Sequence, residues 1–511
     1  MPPSPQTIDR LSFGIGNIGW WVVGLAMAVV LLPPLMLTLA LLTLAGQVAL
    51  VGIGMCGLGR NIRPKEVIGQ PMRQPAVFVS VHVPACREPA PVVIATLISL
   101  MNQQDAVPHE IIVMINNTPD PKDWQPVAQW CAKTGGPFRL LRIDRVTGAK
   151  AGALNIALAH SDSRTTHIVT VDADYQVDAD FLHNLGAEIS GGNTTFFQYP
   201  QAYRNVSPAS MGIAREMEDY FQRQALAANL GQAMLLTGTL SVIPKAALLA
   251  VGGWPTASCT EDAELGTRLI SAGYKGVYVD QVVGRGLMPL DLTGLHKQRH
   301  RWAAGNARVL ALWLPQILRS RPSPRSHWMF RQLLVVSQLT AWLNMGCLAV
   351  LTLCAALAHM ALGVEGGRAT VQMTIWLSCS TILTIVASAL PLLSNRHHPR
   401  DTLQICLTAF LSRIAILPVA AWATLIGALP KPQRFHVTPK VLQRGLSRLL
   451  TPPVLIASIL AALVIPSALA MGQMVALLAG LTLLLPAFAS FATGRALQTY
   501  ARTTGVQRMP C

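Results

Sequence analysis

The chain alternates between stretches that suit only lipid and one long stretch that suits only water. The longest apolar block runs over residues 11–59 and is broken only by Pro33-Pro34. About 20 apolar residues cross a bilayer as a helix, so this block predicts two spans, 20–32 and 36–55, joined by a tight outer turn. Arg60, Arg63 and Lys65 follow and place the next segment on the cytoplasmic side. Further along, 333–362, 371–393, 453–469 and 474–491 predict four more spans. The weakly charged connector 363–370 suits the outer face, whereas the basic stretch 395–400 and the tail with Arg495, Arg502 and Arg508 suit the inner face. The run 403–429 carries Arg413 and Pro418 in its middle, both costly in a lipid-exposed helix. As a span it would also put the basic stretch 431–448 outside, so it is expected to lie along the inner interface. The expectation is a multi-pass protein of the inner (plasma) membrane with about six spans and both termini cytoplasmic.

The segments follow: 1–60 with two spans, 74–316 as a cytoplasmic domain, 325–429 with two spans and interfacial helices, 430–448 as a basic linker, 452–493 with two spans, and 494–511 as a cytoplasmic tail. Hydrophobic residues make up 51% and charged residues 13%, too apolar for a soluble chain of this size. A net charge of +16 would suit nucleic acid, but Lys and Arg gather beside the apolar runs as membrane anchors do. Membrane lipids, and no nucleic acid, are therefore expected partners. Nine cysteines form no CxxC pair, which argues against a zinc site or a disulfide framework.

Between the apolar blocks the pattern changes. Short β-branched runs, 77–81, 111–115 and 168–171, alternate with helical stretches such as 149–160 and 178–189. Alternation of this kind predicts an α/β domain with a mainly parallel sheet. Ligands bind such sheets beyond the carboxyl ends of the strands, and Asp172-Ala173-Asp174 stands at one such end. An acidic pair there is either an ordinary helix-capping loop or a site for Mg²⁺ or Mn²⁺, hard cations that take carboxylate oxygens and bridge a diphosphate. Thr260-Glu261-Asp262 precedes a helical run; Thr260 suits an N-cap and the acids suit the helix N-terminus. Asp262 also suits a general base for an attacking hydroxyl. Gln298-Arg299-His300-Arg301-Trp302 opens a basic amphipathic helix to about residue 314. It reads either as an interfacial helix with its Arg heads at lipid phosphates, or as Arg301 gripping a diphosphate and Trp302 lying under a sugar ring. Lys150, near a helix start, is a solvated lysine or a phosphate ligand.

In this order the D-x-D, T-E-D and Q-x-x-R-W motifs resemble the membrane-bound family 2 glycosyltransferases: cellulose, curdlan, chitin and hyaluronan synthases. Flanking text agrees: Val83-Pro84-Ala85-Cys86-Arg87-Glu88, Ala149-Lys150-Ala151-Gly152-Ala153-Leu154-Asn155 and Phe196-Phe197-Gln198-Tyr199-Pro200-Gln201. Phe435-His436-Val437-Thr438-Pro439-Lys440 resembles the F-x-V-T-x-K gating loop of cellulose synthase-like enzymes. The resemblance implies a glycosyltransferase A-type, Rossmann-like fold inserted in a membrane domain, and an inverting reaction. Asp174 would hold the metal and Asp172 the metal and nucleotide. Glu88, Lys150, Gln298, Arg301, Thr438 and Lys440 would serve the nucleotide sugar. Asp262 would be the base, flanked by Glu261 and Thr260, with Trp302, Gly238 and Thr239 at the acceptor. The family's acidic contact to uracil is replaced by Asn116-Asn117-Thr118-Pro119-Asp120, so Asp120 or an asparagine takes that place. Nothing after Lys440 resembles the cyclic-di-GMP-binding domain of bacterial cellulose synthase; accessory subunits stay open.

The resemblance thus implies a processive hexosyltransferase that uses Mg²⁺ or Mn²⁺ to polymerise a β-glucan from UDP-glucose and passes the growing polysaccharide through its own channel. A non-processive transferase acting on a lipid acceptor, or a synthase of another β-linked polysaccharide, would share these motifs.

Overall fold

The computed structural model describes residues 33–57, 77–189, 194–319, 328–362, 371–383, 399–427, 429, 451–470, 472 and 474–503. The expected first span, the second half of the fourth, the gating hexapeptide with Thr438 and Lys440, and residues 504–511 of the C-terminal tail lie outside them.

The water-soluble part is built on a seven-stranded sheet. Its strands are β1 (Val79–Ala85), β2 (His109–Asn116), β3 (Phe138–Ile143), β4 (His167–Thr170), β6 (Thr195–Gln198), β7 (Ser241–Pro244) and β8 (Lys275–Tyr278); β5 (Gln176–Val177) pairs with β9 (Gly284–Arg285) in a small ribbon. The order is β3-β2-β1-β4-β7-β6-β8, parallel except for β7, which runs against both of its neighbours. Side chains alternate across the pleat. Ile111, Val113 and Ile115 of β2 enter one core with Val93, Leu97 and Val127, while Ile112 and Met114 enter another with Ala153 and Ala157. Burial on both faces is why these strands read as unbroken apolar runs.

This topology positions the site. The chain moves outward from β1 to β2 and β3, then returns to place β4 on the other side of β1. The carboxyl ends of β1 and β4 therefore flank a switch point, the place where such sheets open a crevice. Because β7 is antiparallel and pairs Ser241 with Thr170, residues just before β7 lie at the same edge as those just after β4. The segment holding Gly238 and Thr239 is a bend with Gly238 at φ +93° and Leu240 at φ +53°; β7 begins only at Ser241. Likewise, the helix expected from Gln298 starts six residues earlier: it runs Leu292–Arg319, with the Asp291 carboxylate accepting from the Gly294 amide at 2.6 Å. Asp291 is the capping residue that the basic motif obscured.

Long helices lie against this domain. Pro33–Gly57 packs on Trp328–Leu362 and on the 371–383 helix through Met36, Ala40, Leu348 and Met373. Pro452–Ala470 packs on Met474–Thr503. Leu39, Leu42, Leu463 and Phe488 on these helices are exposed, as lipid-facing positions are in a protein without its bilayer. Among the described residues three helices have the length and hydropathy to cross a membrane: Pro34–Cys56, Leu403–Gly427 and Gly480–Thr503. The second belongs to the helix Pro399–Gly427, unbroken at Pro418, which packs on the soluble-domain helices Met211–Tyr220 and Leu292–Arg319. Thr408 sits where a Cβ on Gly212 would fall, and Ala304 where a Cβ on Gly427 would fall.

One glycine fixes the start of the Ala149–Ala159 helix. Gly148 and Ala149 both have positive φ, and a Cβ on Gly152 would overlap the Thr147 carbonyl oxygen. Gly152→Ala is expected to cost about 1–3 kcal/mol, read as a lower thermal midpoint of the full-length protein.

Candidate active site

Lys150 is the centre of the site. It lies in the first turn of Ala149–Ala159, where a cation opposes the helix dipole. Carboxylates offset that cost. Nζ donates to Asp172 Oδ1 at 2.5 Å and to the Gly238 carbonyl at 2.8 Å, and lies 4.0 Å from Glu261 Oε1. Its side chain is only 15% exposed, which excludes the solvated-lysine alternative. Burial alone would lower its pKa; Asp172 and Glu261 outweigh burial and raise it, so Lys150 stays charged.

One ammonium thus joins three segments: the turn after β4, the bend before β7 and the first turn of the helix Glu261–Ser271. The Asp172 amide donates to Thr239 Oγ1 at 3.0 Å, fastening the turn to the bend a second time. Asp262 Oδ1 accepts from the Ala263 amide at 2.8 Å, while a Cβ on Gly238 would come within 2.7 Å of Asp262 Oδ2. Only glycine leaves that carboxylate oxygen its space. Thr260 holds the N-cap position but makes no capping hydrogen bond; its Oγ1 is buried without a partner. The expected Thr260 cap is therefore absent.

Asp174 is buried and its Oδ2 accepts from the Leu287 amide at 3.3 Å. No group of three or more His, Cys, Asp or Glu side chains gathers in metal-binding fashion among the described residues. Mg²⁺ is usually held by one or two carboxylates together with substrate phosphates. The Asp172 and Asp174 pair fits a cation that arrives with a diphosphate.

Asp262, Thr260 and Trp302 line one cavity with Glu216, Asp219 and Arg299. Arg299 is fully buried, pairs with Glu216 at 2.5 Å, donates to Gln298 Oε1 at 2.8 Å and stacks 4.4 Å from the centre of the Trp302 ring. The Arg heads of this motif therefore do not all face lipid. Burial raises the pKa of Glu261 and Asp262, and Arg301 is near enough for its charge to oppose that rise; its carbonyl accepts from Cys259 Sγ at 3.4 Å. Glu88 follows β1, the strand beside β4.

Asp120 is engaged elsewhere. It caps the helix Pro121–Thr134 through the Lys122 amide at 3.1 Å and pairs with the Lys122 ammonium. Asn117 is also occupied, exchanging hydrogen bonds with the Val146 backbone at 2.9 Å.

The sequence motifs did not reveal the Glu216–Arg299 pair or the charges of Asp219, Arg223 and Arg413, which share the cavity wall. Asp219 bonds both arginines. Burial would raise its pKa; Arg413 and then Arg223 outweigh burial and lower it. The available signal was Arg413 itself: an arginine in an apolar run needs a named partner.

Burial, then the charge of Asp262, pushes the Glu261 carboxyl up to about 7, and burial also raises Asp262. For Glu261 the folded value exceeds the unfolded one. The folded state then binds more protons between about 4.5 and 7, and stability falls as pH rises through that window. Glu261→Gln removes the charge. Its thermal midpoint should gain on the unaltered protein between pH 5 and pH 8, each pKa unit corresponding to about 1.4 kcal/mol. Equal pH slopes for the two proteins would refute the shift.

Comparison with known proteins bears directly on this site. Residues 167–428, more than half of the chain, match "Glycosyl transferase family group 2", and residues 80–252 match "Glycosyl transferase family 2". Glucomannan 4-beta-mannosyltransferase 7 of Arabidopsis thaliana is 29% identical over 218 residues, 41% of this chain and 39% of that protein. A UDP-forming cellulose synthase of Dictyostelium discoideum is 29% identical in its catalytic chain over 168 residues, 32% of this chain and 16% of that one. The match thus spans about two fifths or less of these two relatives. A solved structure of the mannosyltransferase PcManGT from Pyrobaculum calidifontis, in complex with GDP-Man and Mn²⁺, aligns over 70% of this chain and 97% of its own at 19% identity and a TM-score of 0.49. Matched over more than half of its length by that family model, the chain belongs to glycosyl transferase family group 2.

Proposed function

We propose that this glycosyltransferase is a processive, inverting hexosyltransferase that builds a β-linked neutral polysaccharide from a nucleoside diphosphate hexose at the cytoplasmic face. The observation that carries the proposal is the shared cavity. Its wall includes Asp262, Thr260 and Trp302, but also Gln47 and Leu50 of Pro33–Gly57 and Gln338 and Trp342 of Trp328–Leu362. A hydroxyl beside the base therefore lies at the head of a path between long apolar helices. A polysaccharide crossing lipid needs its hydroxyls paired, and Gln47 supplies a polar side chain there.

Asp262 takes the proton of the acceptor hydroxyl. The oxygen attacks the anomeric carbon from the face opposite the diphosphate, and the bond to the diphosphate breaks, which inverts the centre. Lys150 and Arg301 lie where cations offset diphosphate charge. Asp172 and Asp174 would hold the divalent cation, whose charge would neutralise the departing diphosphate. Trp302, one face covered by Arg299, offers its other face to the acceptor ring. The linker 430–448 would close over the donor through Thr438 and Lys440.

The packing of Pro399–Gly427 along soluble-domain helices, and the pairing of its Arg413 with Asp219, support its lying along the inner interface. That arrangement keeps about six spans and both termini cytoplasmic.

The motif set favours UDP-glucose as donor and a β-glucan as product. The mannosyltransferase names of several relatives favour GDP-mannose as a second reading. Incubation of the purified protein with each labelled donor and Mn²⁺, followed by sizing and linkage analysis, separates them. Polymer from one donor supports the proposal; a single sugar on a lipid would replace it with a non-processive reaction. Asp262→Asn should fold normally and lose at least about 10²-fold in rate, the scale of a positioned base. Gly238→Ala should lose polymer synthesis as well, because its methyl group would take the space beside Asp262 Oδ2 and because φ +93° disfavours alanine. Polymer made at the unaltered rate by Asp262→Asn would remove the base assignment.

A further inference from the structure

Tyr500 lies close to the C-terminal end of Met474–Thr503, fully buried and more than two hundred residues from any catalytic motif of the β4 turn. Its hydroxyl accepts from the Met288 amide at 3.2 Å and donates to the Arg204 carbonyl at 3.1 Å. These two backbone groups belong to neighbouring strips. The Arg204 amide donates to the Gly286 carbonyl at 2.9 Å, and the Gly286 amide returns a bond to the Ala202 carbonyl at 2.9 Å. Between Gly286 and Met288 stands Leu287, whose amide donates to Asp174 Oδ2. The strip is seated closely on the acidic turn, since a Cβ on Gly286 would overlap the ring of Tyr175. Leu287, Met288, Leu497, Tyr500 and Ala501 share one buried cluster.

We infer that Tyr500 is a positioning residue for the donor site: its hydroxyl fixes the Gly286–Met288 strip, whose Leu287 amide aims the Asp174 carboxylate at a cation-bound nucleoside diphosphate. The inference rests on the reading of Asp174 as a donor-site carboxylate. Aromatic packing alone would hold the helix against the strip. It would not set the angle of the Met288 peptide, which needs a directional acceptor. The second strip adds a cation beside the same turn. Burial lowers the pKa of Arg204 and the Asp174 charge opposes it, while Arg204 Nη1 is buried without a hydrogen-bond partner. The last long helix thus reaches the donor pocket through one phenol.

The test uses the full-length protein in detergent or nanodiscs and two variants. Tyr500→Phe removes the hydroxyl and keeps the ring. Leu497→Ala weakens the same helix contact and touches neither strip hydrogen bond. Mn²⁺ is titrated calorimetrically in the presence of UDP and, in parallel, of GDP, and donor KM and kcat are measured separately. Tyr500→Phe should raise the half-saturating Mn²⁺ concentration and the donor KM about three- to tenfold, the scale of one net hydrogen bond, with kcat within about twofold. Leu497→Ala should lower the thermal midpoint and leave Mn²⁺ binding within about twofold. Unaltered Mn²⁺ binding by Tyr500→Phe overturns the inference, as does an equal shift in Leu497→Ala. If the parent protein binds Mn²⁺ with neither nucleotide, the donor-site reading itself fails and takes the inference with it.

Discussion

A buried ammonium among carboxylates holds the active site together. Asp172, Glu261 and Asp262 come from two distant segments and would repel one another on approach. Lys150 lies between them, 2.5 Å from Asp172 and 4.0 Å from Glu261. Acids and lysine each make the other's burial tolerable, because an unpaired buried charge is costly. In the proposed reaction the same arrangement keeps a carboxylate ready to accept a proton within reach of a cation suited to a leaving diphosphate.

The same economy governs the contact with the membrane part. Arg299 is buried against Glu216, and Arg413 against Asp219, so two arginines join the soluble helix Met211–Tyr220 to the helices Leu292–Arg319 and Pro399–Gly427. The charges in the cavity wall, those of Glu216, Asp219 and Asp262 with those of Arg223, Arg299 and Arg413, are thereby internally balanced. Phe221–Ala225 continues Met211–Tyr220 as a π-helix, and Arg223 on it bonds Asp219. Local π geometry often accompanies functional sites.

What was legible came from local rules. β2 and β4 and the helices 149–159 and 261–271 lie where alternation and helical periodicity put them, within one or two residues. The acidic turn after β4 follows from strand polarity alone. Less legible were features set by distant partners. Gly238 and Thr239 form a bend because Asp262, Lys150 and Asp172 converge there, and no local pattern records that convergence. Arg299 sits inside the most conspicuous motif, yet its burial depends on Glu216, 83 residues earlier.

By itself the sequence determined the class of molecule: an α/β transferase domain bounded by apolar helices, with acids at strand and helix ends. Periodicity, hydropathy and motif order are properties of neighbouring residues, and neighbours suffice to fix them. The tertiary structure alone decided which side chains meet. Lys150 with Glu261, Arg413 with Asp219 and Tyr500 with Met288 are separated by 100 to more than 200 positions. Such pairs form only when sheet order and helix packing bring their ends together, since the free energy of a contact depends on distance in space and not along the chain.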